Sequence, residues 1–191
     1  MQKSRLEAFS DGVLAIIITI MVLELKVPEG TGWNDLSVLM PKFISYIISF
    51  LYIGIYWGNH HHLLHTASRV TSRIMLSNLN LLFWLSLVPF SAGWMGESHF
   101  AQNPVALYSA NLFLAGLAYY ILQKAIEKTS LPDDTMAKAL KRHSQKGIIS
   151  QFAYMAGIVI AFYFPMISVA ISFIVAIIWL IPDKHIEQAL H

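Results

Sequence analysis

The sequence predicts an all-α membrane protein with six transmembrane helices per subunit, and three observations lead there. First, 56% of its 191 residues are hydrophobic and only 13% are charged, with a mean hydropathy of +0.57. A soluble domain normally carries about a quarter charged residues. Second, apolar residues gather near 6–27, 41–63, 73–95, 105–127, 147–164 and 165–182, close to the ~20 residues a helix needs to cross the hydrocarbon core. Third, with both termini on the cytoplasmic side of the cell membrane, that side receives Lys3, Arg5, Arg69, Arg73, Lys124, Lys128, Lys138, Lys141, Arg142, Lys146 and Lys184, while the other keeps only Lys26 and Lys42. That asymmetry satisfies the positive-inside rule.

The first span raises the sharpest question, because "RLEAFSDG" sits directly against "VLAIIITIMVL". One reading makes Ser10 or Asp11 an N-cap that accepts a backbone hydrogen bond. Against it, Val13 to Leu23 alone reaches only about 16 Å as a helix. A crossing helix therefore needs about Leu6 to Val27, which places Ser10 and Asp11 roughly a turn inside the boundary. An ionisable group there is costly unless it faces protein. At 100° per residue, Ile16, Ile20 and Leu23 form one stripe with Thr19 beside it, and Asp11 lies about 140° from Ile16. Asp11 is thus expected to turn into its own bundle, leaving the stripe for lipid, neighbouring helices or a pore.

The second span contains Gly54 and Gly58, a spacing that permits close helix approach, and ends in "YWGNHHHLLH". His61 and His65 share a helical face and could form a metal pair, but no nearby Asp, Glu or Cys completes a set. A polar network joining Asp11 to one histidine, with Arg5, Trp57, His60, His61 and Asn78 or Asn80 nearby, accounts for both polar islands. Histidines solvated at the interface are the plainer alternative. The tryptophans mostly fall near proposed span ends, where indoles favour the interface. Ser86, Ser109, Asn111, Ser168 and Ser172 are compatible with interhelical hydrogen bonds. Between the fourth and fifth spans, "EKTSLPDDTMAKALKRHSQK" combines a proline–acid turn with a basic amphipathic stretch that fits the membrane surface or a solvated loop. Pro165 divides the final apolar run into two helices of a tight hairpin, because proline breaks the backbone ladder. Nothing resembles a second domain, so residues 1–191 read as one unit. A cleavable signal peptide is not expected, since Arg5, Glu7 and Asp11 stand at the start of the first apolar run.

Arg5, Phe9, Ser10 and Asp11 spell R-x-x-x-F-S-D at the start of span one. This closely resembles the signature of the transmembrane protein 175 family of potassium channels, and the six-span organisation extends the resemblance over essentially the whole chain. The resemblance implies a homotetramer whose four first helices line a central pore. It implies a hydrophobic constriction five residues after the motif aspartate, at Ile16, and a threonine layer for potassium selectivity at Thr19. Ile20 and Leu23 follow as pore-facing positions by helical spacing, and the motif itself is implied to be chiefly an intrasubunit packing device.

No "TVGYG"-like filter is present, so rings of backbone carbonyls are not available for selection. There is no Arg-rich voltage-sensor helix and no phosphate-binding loop. With no cysteine, thiolate metal sites and disulfides are excluded, and the net charge of +2 is too small to suggest nucleic acid. The expectation is a potassium-selective channel that is not an enzyme, with no cofactor or bound metal, and with potassium ions, membrane lipid and copies of itself as partners. The alternatives are a proton-coupled secondary transporter titrating Asp11 and the histidines, which would predict an inverted repeat, and a membrane enzyme or metal protein centred on the histidines.

Overall fold

The computed structural model describes residues 2–129 and 134–180, with the backbone alone for 134–142. All regular elements among them are helices: α1 Lys3–Leu23, α2 Trp33–Ser37, α3 Met40–His65, α4 Ser72–Ser86, α5 Val88–Glu97, α6 Gln102–Glu127, α7 Asp134–Ala161 and α8 Pro165–Leu180. Lys3–Leu23, Ser72–Glu97 and Gln102–Glu127 are long and apolar enough to cross a membrane. The six apolar stretches of the sequence coincide with α1, α3, the α4–α5 pair, α6, α7 and α8.

The first helix gains its length at its polar end. It starts at Lys3 and runs 21 residues, about 31 Å, and the chain turns at Glu24 rather than continuing to Val27. Ser10 and Asp11 therefore lie two turns inside the helix, and the N-cap reading fails. Between α1 and α3 the chain forms the short α2, which hydropathy does not announce. There the Asp35 carboxylate accepts from Gly32 N at 2.9 Å, satisfying one of the donors that a helix start leaves free. Pro41 occupies the first turn of α3, where its missing N–H costs nothing.

A break at Leu87 separates α4 from α5. Pro89 has no N–H to continue the ladder, and Asn111 of α6 repairs the neighbouring rung. In the amide orientation that satisfies both partners, Asn111 donates to Trp84 O at 3.0 Å and accepts from Val88 N at 3.2 Å. These are the two groups, four residues apart, that would bond each other in an unbroken helix. At the other bend Pro165 begins α8 after the short turn 162–164, as the sequence indicates.

Helix α6 is the centre of the packing, in contact with α4, α5, α7 and α8. Tyr108, Leu112, Ala115, Ala118 and Leu122 of α6 are almost wholly buried. Polar links cross the core at several levels: Ser45 Oγ donates to Ala92 O at 2.6 Å, Ser49 and Tyr108 hydroxyls lie 3.0 Å apart, Ser109 and Ser168 hydroxyls 3.0 Å apart, and Tyr52 OH donates to Ser172 O at 2.6 Å. Ser86, by contrast, bonds only its own helix at Phe83 O.

Three expectations change. The basic stretch before the fifth span is not a separate surface segment, because its backbone from Asp134 onward is continuous with α7; residues 130–133 lie outside the described residues. Gly54 and Gly58 are not close-approach points within the chain, since a Cβ at either would meet nothing within 4 Å. Gly96 fills that role instead: a Cβ there would stand 2.9 Å from Lys42 Cα, so only glycine lets α5 approach the start of α3. Trp57 sits well inside α3, and Trp84, in the last turn of α4, sits midway along the Ser72–Glu97 span rather than at its end.

Candidate functional site

Two sides of α1 carry different chemistry. Leu6, Ser10, Leu14, Ile17 and Met21 are buried against the rest of the chain, and their spacing of three or four residues is one helical face. The opposite side presents Phe9, Ile16, Ile20 and Leu23, and Ile16 and Leu23 are 57% and 77% exposed. Thr19 is exposed beside them and donates its hydroxyl to Ile16 O at 2.9 Å. The stripe singled out in the sequence thus lies away from its own bundle.

The buried face is joined to α3 and α4 through a directed chain of hydrogen bonds. Ser10 Oγ donates to Leu6 O at 2.8 Å, Asn78 Nδ2 donates to Ser10 Oγ at 2.9 Å, and His60 Nε2 lies 2.6 Å from Asn78 Oδ1. Ser10, Asn78 and His60 are all buried. Because Asn78 spends its amide hydrogen on Ser10, its oxygen accepts from His60, which places a proton on Nε2 of that ring. Unpaired polar groups at this depth would be expensive, and each member of the chain removes the penalty of the next. Three helices are therefore fixed to one another by three side chains.

Asp11 is not part of this chain. It flanks the buried face and is exposed, and its Oδ1 accepts from Trp57 Nε1 at 3.0 Å. The expectation that Asp11 turns into the bundle and pairs with a histidine is corrected: its neighbour Ser10 reaches the histidine by way of Asn78, while Asp11 binds an indole on the rim of α3. Arg5 is exposed and bonds none of the described residues, so it makes no ion pair with Asp11. Asn80 is exposed and takes no part. The start of α1 and the end of α3 are tied separately, where Lys3 Nζ donates to His65 O at 2.8 Å, a cation on the last turn of a helix.

Of the four histidines of α3, His60 is the buried one. His61 is exposed, and its ring stacks edge-on against His65 with centroids 4.6 Å apart. Among the described residues no group of three or more His, Cys, Asp or Glu could hold a metal. Sequence reasoning missed Glu7, whose Oε1 is buried without a hydrogen-bond partner. Its position one turn before Ser10 and Asp11 was the available signal.

Comparison with known proteins agrees with this geometry. Residues 5–89, which hold the motif and the whole Ser10–Asn78–His60 junction, match the family described as endosomal/lysosomal potassium channel TMEM175. A potassium channel of Chryseobacterium sp. is 53% identical over 191 residues, covering all of this chain and 98% of its own. The endosomal/lysosomal proton channel TMEM175 of Mus musculus is 31% identical over 153 residues, 71% of this chain but 30% of the mouse protein. The crystal structure of a lysosomal potassium-selective channel TMEM175 homolog from Chamaesiphon minutus superposes with a TM-score of 0.84 at 26% identity, over 93% of this chain and 96% of that one. The protein is a multi-pass membrane ion channel and not an enzyme. The chain belongs to the TMEM175 family.

Proposed function

We propose that this protein is a potassium-selective channel, a homotetramer of six-span subunits in the cell membrane with both termini cytoplasmic, whose pore is lined by four copies of α1. The observation that carries this reading is the apolar stripe on α1: Ile16, Ile20 and Leu23 are exposed in the single chain, on the side facing away from its own core. Ile16 forms the narrowest ring, which gates by excluding water as hydrophobic constrictions do. Thr19, one turn outward, offers hydroxyl oxygens to a partly dehydrated ion. Ile20 and Leu23 extend the apolar lining. No cofactor or resident metal takes part, and the permeant ion is potassium. Ser10 and Asp11 of the motif, with Trp57, His60 and Asn78, position α1 rather than touch the ion.

Two observations outside the stripe support the reading. The Chryseobacterium relative, similar over the full length, is named a potassium channel, and the Chamaesiphon structure is titled potassium-selective. Protons are the second candidate permeant, because the mouse relative is named a proton channel. Purified protein in planar bilayers separates them. We expect unitary currents whose reversal potential follows the potassium gradient at fixed pH and stays near zero under a pH gradient with symmetric potassium. Reversal that follows pH alone would assign the current to protons, and absence of unitary current would remove the channel reading.

A further inference from the structure

The four helices α3, α6, α7 and α8 enclose a cavity of about 420 Å³ that the α1 junction does not use. It extends from Phe113 to Gln123 along α6 and from His143 to Met155 along α7, about 15–18 Å at 1.5 Å per residue. That length is half of the ~30 Å hydrocarbon core, the depth of one leaflet, and the volume falls within the ~300–1,000 Å³ of small-molecule pockets. On its exposed side Leu117, Ile148, Phe152 and Met155 line it and are 40%, 43%, 74% and 46% exposed, while Gln151 of α7, in the amide orientation that satisfies it, donates to Phe113 O and accepts from Leu117 N of α6 at 3.1 Å each.

The wall is overwhelmingly apolar and aromatic. Most polar atoms in it are already engaged by the protein: Tyr119 OH donates to Asn59 O at 3.0 Å and lies 3.1 Å from His143 Nε2, Tyr154 OH donates to Tyr52 OH at 3.1 Å, and Trp179 Nε1 donates to Ser150 Oγ at 2.8 Å. Buried water needs two to four polar partners per molecule, so this cavity suits a hydrocarbon rather than a file of water or ions. Its inner end is basic. Lys124 Nζ stands 5.4 Å from the centroid of Tyr120, and Lys146 Nζ 4.7 Å from that of Trp179; both rings line the cavity. The sequence from 124 to 146 holds six basic residues against three acidic ones, although Lys124 also bonds Glu127 at 2.6 Å. Basic clusters beside a span attract anionic headgroups.

We propose that the cavity holds one acyl chain of an anionic phospholipid of the cytoplasmic leaflet, with its phosphate beside Lys124 of α6 and Lys146 of α7. The chain lies along Tyr56 and Tyr154. This rests on the proposed membrane orientation and not on ion conduction, so its failure leaves the channel reading standing.

The test uses the full-length protein in lipid nanodiscs with phosphatidylglycerol carrying a photoactivatable diazirine halfway along one chain. Cross-links are mapped by peptide mass spectrometry. We expect labelling at Tyr56 and Tyr154, at least threefold stronger than with phosphatidylcholine of identical chains. The variant Gly147→Leu should reduce it at least tenfold. Gly147 lines the cavity and a Cβ there meets nothing within 4 Å, and leucine favours helix over glycine, so this substitution fills space without disturbing the fold. Leu117→Trp repeats the test from the exposed side of the cavity. Labels confined to outward residues such as Ile174, labels unchanged in both variants, equal labelling by phosphatidylcholine, or labelling by a diazirine fatty acid but not by phosphatidylglycerol would each overturn the proposal.

Discussion

Thr19 donates its hydroxyl hydrogen to Ile16 O within its own helix, which leaves the two lone pairs of that oxygen as acceptors. A cation needs acceptors and not donors, so this back-bonded geometry suits a layer that replaces hydration water. Thr19→Val removes the oxygen at nearly constant volume. If the ring of four hydroxyls together contributes about 1 kcal/mol to discrimination, the preference for potassium over sodium should fall roughly fivefold while current persists; an unchanged ratio in bi-ionic recordings would take Thr19 out of selection. Ile16 is 57% exposed whereas Ile17, its neighbour, is 4% exposed and packs in the core. Ile16→Asn should therefore raise basal current and weaken selectivity without loss of assembled protein, because a polar ring holds water that an isoleucine ring expels. The same change at Ile17 buries an unpartnered amide and should reduce folded yield. Equal open probability in Ile16→Asn and parent, at matched protein density, would move the constriction elsewhere.

At the scale of elements, the α4–α5 break depends on a residue distant in sequence, Asn111 of α6, whose amide bridges Trp84 O and Val88 N. Asn111→Leu keeps the branched shape and strands Val88 N, worth about 1–3 kcal/mol when buried without a partner, while Trp84 O keeps its bond from Leu87 N at 3.3 Å. Thermal unfolding in detergent should shift down clearly, whereas Ser86→Ala, on an exposed residue that bonds only its own helix, should stay within about 0.5 kcal/mol of the parent. A shift as small for Asn111→Leu would mean that α4 and α5 hold their angle unaided. Such a contact explains what the sequence could and could not reveal. Hydropathy reports the length of apolar runs, so the stretches that became α1, α3, α6 and α8 were legible, and Pro165 marked its own turn. The insertion of a side chain into another helix's ladder is a tertiary event and leaves no local trace. The same holds for Ser10 and Asp11: they are adjacent and differ by 100° around α1, and only the position of Asn78 decides that the serine, not the acid, reaches His60. The continuity of α7 through its basic start was hidden because charge there hides the helix from hydropathy.

For the whole molecule, the one-sided burial of α1 is the feature on which the proposed tetramer rests. A helix packed within a single subunit would cover Leu23, which is 77% exposed, and the flank bearing Asp11 and Trp57 would have no neighbour. In the proposed tetramer the Leu23 stripe faces the axis, while exposed positions on α8 such as Ile174 face lipid. The chain has no cysteine, so a single introduced thiol reports its surroundings without background. A small cationic thiol reagent, applied in water, should reach Leu23→Cys through the pore and abolish most of the current, since one added positive group in a narrow ring repels potassium at close range. At Ile174→Cys the same reagent should leave conductance unchanged, because that site is reached only from lipid. Mass spectrometry of the recorded samples gives the extent of modification, which separates a silent site from an unreacted one. Full modification at Leu23 with unaltered current would show that ions do not pass along α1, and block of equal depth at Ile174 would place the pore on the other side of the subunit.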